Sequence, residues 1–294
     1  MHFGITLPPF GPFADPTYLI GLARDAENAG WDGFFLWDHV VFDDSFHPLA
    51  DPWVALAAIA TATERVRLGT MITPVARRRP WILARETVTL DRLSAGRLIL
   101  GVGLGSPPQY EFGTFGEETD NASRAHKLDE GLEILTGLWS GDTFSHRGEQ
   151  YQVEPVVFQP TPVQQPRIPI WVGGGWPTRA PFRRAARYDG VFPLKGGGKL
   201  TPQEFGDVKA FVDGERERYG IAPRGFDYVA SGITPANDPA LAAELVKRFA
   251  AVGATWWLET VDPWSQSLDW SLPLDDVTTE KMVERIHAGP PPGP

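Results

Sequence analysis

Residues 66 to 105, VRLGTMITPVARRRPWILARETVTLDRLSAGRLILGVGLG, contain a strand, a helix and a second strand, and this unit decides how the chain is interpreted. The runs VRLGTMI (66–72) and RLILGVG (97–103) are short and apolar, which is typical of buried strands. Between them, a segment from about Pro80 to Leu93 has the spacing of an amphipathic helix. The stretch therefore predicts one βα unit of a parallel sheet.

The same rhythm extends to both ends of the chain. Six further apolar runs read as strands: HFGITL (2–7), GFFLW (33–37), PRIPIWVGG (166–174), DGVFPL (189–194), FDYVASGI (226–233) and ATWWLET (254–260). Helical patterns follow each of them, and no linker divides the series. Eight sequential βα units predict an α/β fold, a TIM (β/α)8 barrel, as a single domain over residues 1–288.

Three segments fall outside the regular units. Residues 104–121 and 140–168 are expected to be insertions after strand four, and the second contains GDTFSHRGEQYQV, which reads as a hairpin. The tail GPPPGP (289–294) cannot extend a helix and is expected to be flexible.

Composition restricts the kinds of partner. The 294 residues carry a formal charge of -10, which disfavours nucleic acids and anionic membranes, so a small-molecule partner is expected. The chain has no cysteine, no apolar run of roughly 20 residues and no signal-peptide pattern at its start. We therefore expect a cytoplasmic protein. No pair of histidines has metal-ligand spacing at a strand end, so no metal site is predicted.

Asp38 and His39 directly follow the apolar stretch FFLW at the end of strand two. In a TIM barrel the C-terminal strand ends form the mouth where the chemistry takes place. Two interpretations are open. Either Asp38 caps the next helix or orients His39 for stability alone, or the two residues form an acid/base or cofactor-contacting pair.

Three other strand ends are rich in glycine. GTMITP (69–74) suggests a bulge, and GVGLGS (101–106), with Gly103, Gly105 and Ser106, leaves room for a planar ligand near the backbone. VGGGWPT (172–178) exposes backbone N–H groups between a strand and a helix, which suits a phosphate. ARRRPW (76–81) is either a second anion site or a solvated charged face.

The stretches WDHV, VRLGTMITP, LARETVTLDRLSAGRLILGVGLG, LDEGLEILTGLWSG and PRIPIWVGG together resemble the luciferase-like flavin or deazaflavin oxidoreductases, from Met1 to about His287. The resemblance implies a TIM barrel that binds FMN or coenzyme F420 at its mouth, often as a homodimer. It also implies a non-prolyl cis peptide within Thr70, Met71 and Ile72, which would support the cofactor ring.

The resemblance further assigns roles to individual residues. Asp38 and His39 resemble the catalytic, ring-contacting pair of the deazaflavin-dependent branch, in which His39 would move a proton. Gly173, Gly174 and Gly175, next to Trp176, correspond to the loop that takes the cofactor phosphate. Where a sugar-phosphate dehydrogenase of the family has a catalytic glutamate, this chain has Ser106. Glu111 is only a candidate for the missing acid or base.

Three functions are compatible with these sequence features. The first is hydride transfer between coenzyme F420 and a small organic substrate at the barrel mouth. The second is an FMN-dependent monooxygenase that works with a separate flavin reductase, and the third is a non-catalytic flavin-binding protein. Trp37, Trp176 and Pro107 near the mouth suggest an apolar or planar substrate.

Overall fold

A computed structural model describes residues 1–42, 48–196, 198–222, 225–262 and 276–293. Eight parallel strands close into a barrel, in the order β1, β10, β9, β8, β7, β4, β3, β2. The strands of the barrel are β1 (His2–Leu7), β2 (Gly33–Leu36), β3 (Arg67–Pro74), β4 (Leu98–Gly103), β7 (Ile170–Trp176), β8 (Gly190–Lys195), β9 (Asp227–Gly232) and β10 (Trp256–Thr260). The predicted TIM barrel is confirmed.

Helices pack around the outside of this barrel. They are α1 (Pro16–Asn28), α2 (Pro52–Ala62), α3 (Pro80–Leu93), α4 (Pro108–Glu111), α5 (Asn121–Trp139), α6 (Ala180–Ala185), α7 (Pro202–Arg218), α8 (Pro239–Ala251) and α9 (Asp276–His287). The sequence patterns at several helix starts are confirmed: Asp15 caps α1, and Thr201 and Glu204 form a reciprocal capping box on α7.

Strand residues alternate between two apolar cores. One side of each strand packs against the helices, and the other fills the barrel interior. The interior residues are Phe35, Met71, Ile99, Trp171, Phe192, Val229, Trp256 and Leu258. Because large rings fill the lower and middle barrel, any ligand of the mouth must lie above them.

Strand β3 bends near its end. Its register with β4 shifts between Thr70 and Thr73, and the Met71–Ile72 peptide is cis, within the range that the resemblance implies. Neighbouring glycines make this bend possible, because a Cβ on Gly101 would collide with the Thr70 carbonyl oxygen. The glycines of β4 are therefore explained first by packing against the bulge.

The segments after β4 form one compact attachment. The predicted hairpin is present as β5 (Thr143–Arg147) and β6 (Gln152–Val157). Glu130 of α5 anchors it, because its carboxylate accepts hydrogen bonds from the backbone N–H groups of residues 149, 150 and 151. These bonds hold the pKa of Glu130 below its usual value despite the opposing effect of burial.

The first residues of the tail lie against the rest of the protein. Gly289 is buried, and its carbonyl oxygen accepts a hydrogen bond from Arg285 Nη1 at 2.8 Å. Pro291 is buried as well. The first residues of the tail therefore pack beside the end of α1, where Gly289 approaches Ala29. Among the helices that the structure describes, none is long and apolar enough to cross a bilayer.

Candidate active site

The mouth of the barrel is lined by the last inward-facing residue of each strand. On most strands this residue lies two positions beyond an interior core residue, because side chains of a strand alternate between its two sides. On β3 it is Ile72, whose side chain contacts the glycines of β4 and β7. This upper layer consists of Thr6, Trp37, Ile72, Gly103, Gly173, Leu194, Ser231 and Thr260. None of the eight carries a charge.

Asp38 is buried just outside this layer. Its Oδ1 accepts hydrogen bonds from Arg77 Nη2 at 2.5 Å and from Arg78 Nη2 at 3.2 Å. Its Oδ2 accepts from Thr73 Oγ1 at 2.8 Å and from Trp53 Nε1 at 3.1 Å. Burial alone would raise the pKa of Asp38, but the two guanidinium groups and Thr73 outweigh it and hold the pKa below its usual value. Asp38 is therefore an ionised structural anchor.

His39 is held by a different carboxylate. Its Nδ1 lies 2.8 Å from Oε1 of Glu111, which is fully buried in α4. Arg77 Nη1 contacts the other oxygen of Glu111, so one guanidinium joins Asp38 to Glu111. The His39 side chain is 14% exposed, so it is not fully enclosed by these partners.

Burial, the largest cause, and the charge of Arg77 lower the pKa of His39 to about 4, against an opposing effect of Asp38. Glu111 would favour the imidazolium, but Arg77 neutralises that carboxylate. Near neutral pH the ring is therefore uncharged. It donates its Nδ1 proton to Glu111, and Nε2 carries the lone pair.

The structure places the side chains of Asp38 and His39 against different partners. Adjacent residues of an extended segment point to opposite sides, so Asp38 turns outward to Arg77 while His39 turns inward. Glu111 holds the imidazole instead, and its burial removes it from direct contact with a substrate. Sequence reasoning missed the role of Arg77. Its only signal was the arginine run ARRRPW.

That run is divided, because Arg79 is exposed whereas the other two arginines are largely buried. Arg77 and Arg78 are largely buried in ion pairs with Asp38, and Arg78 also reaches Glu86 Oε2 at 3.4 Å. The third arginine, Arg79, lies over the Trp81 ring. Ion pairs of Arg77 and Arg78 therefore connect the ends of β2 and β3 to α3 and α4.

Of the predicted cofactor residues on β3 and β4 and in the loop after β4, some are packed inside the protein and others lie at the mouth. The Thr70 hydroxyl is fully buried against Thr73 Oγ1 at 2.7 Å, so it cannot reach a ligand. Gly105 has φ +80 and packs against Pro74, which gives it a local structural role. Ile72 and Gly103 belong to the upper layer, and Ser106 is exposed beside it. Met71 lies below them in the interior core.

The residues at the end of β7 also fall into two groups, one packed against neighbouring side chains and one open at the mouth. A Cβ on Gly174 would collide with Pro181, and Trp176 packs against Phe182. At Gly175 an added Cβ would meet open space. Gly175 therefore presents accessible backbone at the mouth, whereas Gly173 packs against Ile72, and Gly174 and Trp176 pack against α6.

These residues fit a flat cofactor ring with a polar chain. The upper layer is uncharged, and the Ile72 side chain covers the two glycines of the neighbouring strands, Gly103 and Gly173, so this part of the mouth is apolar. The open backbone at Gly175 suits a phosphate oxygen. Within the described part of the chain, no cluster of three metal-ligating side chains is present.

A polar cavity of about 340 Å³ lies at the opposite end of the barrel, where His2, Asp32, Arg67 and Asp227 surround it. Asp227 accepts hydrogen bonds from Trp171 Nε1 and from Thr255 Oγ1, and burial raises its pKa. Interior rings including Trp171 and Trp256 separate this cavity from His39. It is therefore not part of the candidate active site.

Together, the fold and the mouth define a TIM-barrel protein with an uncharged upper layer beside His39. The sequence agrees with this class. Residues 1–280 match the model of the luciferase-like monooxygenase family, and the chain belongs to that family.

Two relatives are described as F420-dependent glucose-6-phosphate dehydrogenases. The protein from Microbacterium testaceum is 34% identical over 180 residues, which cover 59% of this chain and 52% of that relative. The protein from Gordonia bronchialis is 29% identical over 281 residues, or 92% of this chain and 78% of the relative. The chain thus matches about half the length of the first relative and most of the second.

The barrel is also similar to a solved structure. The coenzyme F420-dependent tetrahydromethanopterin reductase from Methanopyrus kandleri superposes with a TM-score of 0.74 at 18% identity, covering 97% of both chains. At this identity the likeness concerns the fold.

Proposed function

We propose that this protein is an oxidoreductase that transfers a hydride between coenzyme F420 and a small organic substrate at the barrel mouth. The observation that carries the proposal is the neutral His39 ring, whose Nδ1–H is bonded to Glu111. This arrangement leaves Nε2 as a base for the proton that accompanies hydride transfer. The relatives described as F420-dependent dehydrogenases support the choice of cofactor.

When bound, the deazaflavin cofactor supplies the two-electron chemistry. The chain orients the reactants and handles the proton. Three residues contact the flat ring: Ile72, Gly103 and Gly173. Two residues bind its polar chain: Gly175 and Ser106. His39 exchanges a proton with the substrate through Nε2. Asp38, Thr70, Met71, Gly105, Gly174 and Trp176 position this site without touching the reacting atoms.

An FMN-dependent monooxygenase is the second candidate, because the family description names monooxygenases. The two functions differ in the cofactor that the mouth prefers. We would titrate purified apoprotein with coenzyme F420 and with FMN and follow the fluorescence of each ring. We expect clear preference for coenzyme F420. Tight binding of FMN alone would refute the proposal.

Replacement of His39 tests the proton-transfer role. The His39→Ala variant should bind the cofactor normally but turn over roughly a hundredfold more slowly, because a positioned base contributes about that much. His126→Ala, at an exposed position of α5, is the matched control and should behave as the wild type. Nearly unchanged turnover in His39→Ala would assign His39 a structural role instead.

We further propose that the protein works in the cytoplasm as a homodimer, with one barrel domain (residues 1–288) per subunit. Helix α2 supports the dimer, because all its residues except Thr61 are apolar and Val54 on its outer face is 68% exposed. Light scattering on the wild type and on Val54→Glu measures the oligomeric state. A monomeric wild type would refute the dimer.

A further inference from the structure

We propose that the polar cavity at the lower end of the barrel, opposite the mouth, binds a small amino acid in its zwitterionic form. This site is separate from the candidate active site and does not depend on the proposed function. The inference is carried by two charges of opposite sign on opposite walls of the cavity, Arg67 and Asp227, neither of which forms an ion pair with a described residue.

Arg67 and Asp227 project into the barrel at its lower end. Arg67 pairs with Gly33, two positions before the interior residue Phe35, and Asp227 lies two positions before the interior residue Val229. Because the side chains of a strand alternate between its two sides, both side chains point towards the barrel axis. Their strands, β3 and β9, are separated by three strands in either direction around the barrel. The two charges therefore lie on opposite walls of the cavity of about 340 Å³ that both residues line.

The protein uses only part of the Arg67 guanidinium. Its Nη1 donates to the carbonyl oxygen of Gly96 at 3.0 Å and to Oε1 of Gln164 at 3.1 Å. Both acceptors are neutral, and Nη2 and Nε donate to no atom of the described residues. A charged group with free donors therefore lines the cavity, and a carboxylate is the acceptor that a guanidinium binds best.

The carboxylate on the opposite wall is held in place by neutral donors. Oδ2 of Asp227 accepts a hydrogen bond from Trp171 Nε1 at 3.1 Å, and Oδ1 accepts one from Thr255 Oγ1 at 3.0 Å. Burial raises the pKa of Asp227 although these two bonds and His2 oppose the effect. An ammonium group beside Asp227 would compensate a carboxylate that no described cation pairs.

Aromatic rings close the inner end of the cavity. A Cβ on Gly33 would meet the ring of Trp256, and a Cβ on Gly190 would meet the ring of Trp171. The two glycines therefore leave room for these rings beside the strands that carry the charges. Apolar surface between two charged walls suits a ligand with a short aliphatic chain and a charge at each end.

The rim of the cavity adds one charge of each sign. Asp32 accepts a hydrogen bond from the backbone N–H of Phe3 at 2.8 Å and lies 3.7 Å from His2 Nδ1. Arg65 Nη2 donates to the carbonyl oxygen of Glu27 at 2.7 Å. The arginines and aspartates of the described lining are thus equal in number, which favours a ligand without net charge.

A zwitterion satisfies both walls at once. A carboxylate alone would pair with Arg67 and leave Asp227 without a cation, and an amine alone would do the reverse. Because a charge that leaves water costs free energy unless it is paired, a ligand with both charges should bind more tightly than either of its halves. This difference separates the proposed site from a lower barrel end that holds only solvent.

The first test is calorimetric titration of the full-length wild type without cofactor. The ligands are glycine, 4-aminobutyrate and 6-aminohexanoate, which differ in the separation of their charges, and butyrate and butylamine, which carry one charge each. At least one zwitterion should bind at least about tenfold more tightly than butyrate and butylamine. Absence of saturable binding at millimolar concentration would overturn the inference, as would equally tight binding of butyrate or butylamine.

Two variants assign the binding to the two walls. Asp227→Asn and Arg67→Gln each remove one charge, and each should weaken binding of the tightest zwitterion at least about tenfold. Asp142→Asn, at an exposed position, is the control and should bind as the wild type does. Unchanged affinity in either wall variant would overturn the inference, because both charges are required. The comparison of ligands on the wild type does not depend on the folding of these variants.

A third variant separates this cavity from the mouth. The interior rings, Trp171 and Trp256 among them, lie between the cavity and His39, so His39→Ala should bind the zwitterion as tightly as the wild type. The zwitterion should also raise the Tm of both proteins equally, since it binds the folded state. Loss of binding in His39→Ala would place the ligand at the mouth and overturn the inference.

Discussion

Nδ1 of His39 lies 2.8 Å from Oε1 of Glu111, 72 positions further along the chain. The bond joins the end of β2 to the short helix α4, and Arg77 closes it from the other side. It selects one tautomer of the histidine and leaves the second ring nitrogen for chemistry. The following predictions concern this bond and the groups that support it.

Glu111→Gln should slow turnover by roughly tenfold to a hundredfold while cofactor affinity stays near the wild-type value. The amide oxygen can still accept the Nδ1 proton, but a neutral amide stabilises the imidazolium that forms during proton transfer less than a carboxylate does. Steady-state kinetics and a cofactor titration measure the two effects separately. Glu118→Gln, at an exposed position of the same loop, is the control. Equal loss in both variants would contradict the positioning role.

His39 should make the protein less stable in mild acid. Its pKa is about 4 in the folded protein, against 6.5 for an ordinary histidine, because of burial and Arg77. Between these values the unfolded chain binds the proton more readily, so the free energy of unfolding falls as the pH drops from 6.5 towards 4. The slope from this residue is at most about 1.4 kcal/mol per pH unit.

Urea unfolding at pH 7 and pH 5 measures this effect. The wild type should lose more stability between the two pH values than His39→Gln, which has no titrating ring. His126→Gln, at an exposed position, should lose as much as the wild type. If His39→Gln and the wild type lose the same free energy of unfolding, the pKa of His39 is not lowered in the folded protein.

Two glycines of the barrel strands should respond in opposite ways to replacement by alanine. Gly101→Ala places a methyl group against the Thr70 carbonyl oxygen and should destabilise the fold by roughly 1–3 kcal/mol, as overpacking does. Gly175→Ala meets open space, so it should keep the stability of the wild type but weaken cofactor binding. Thermal unfolding and cofactor titration distinguish the two. Normal cofactor binding in Gly175→Ala would exclude this backbone from the site.

Thr73→Val should destabilise the protein and raise the pKa of Asp38. The hydroxyl donates to Asp38 Oδ2 at 2.8 Å in a buried setting, and a lost partner there costs roughly 1–3 kcal/mol. Chemical denaturation compares it with Thr89→Val, which removes an exposed hydroxyl that bonds within its own helix. Equal stability of the two variants would show that the Thr73 hydroxyl does not stabilise Asp38.

Local sequence patterns predicted much of the architecture. The strands and most helices follow from hydrophobic period and caps, because these signals act over a few neighbouring residues. The bulge at residues 69–74 was visible as glycine, threonine and proline at a strand end. The resemblance then added the cis peptide, which the structure has at Met71–Ile72.

The sequence by itself determined the barrel, the position of His39 at its mouth and the glycine-rich opening beside it. The partner of His39 was decided only by the tertiary structure. Asp38 is adjacent in the chain, but alternation turns it towards Arg77, and closure of the barrel brings Glu111 to the imidazole instead. Packing also placed Arg77 and Arg78 in ion pairs and left Arg79 exposed. Side-chain direction and distant contacts depend on how the strands and helices assemble, so the composition of a segment does not reveal them.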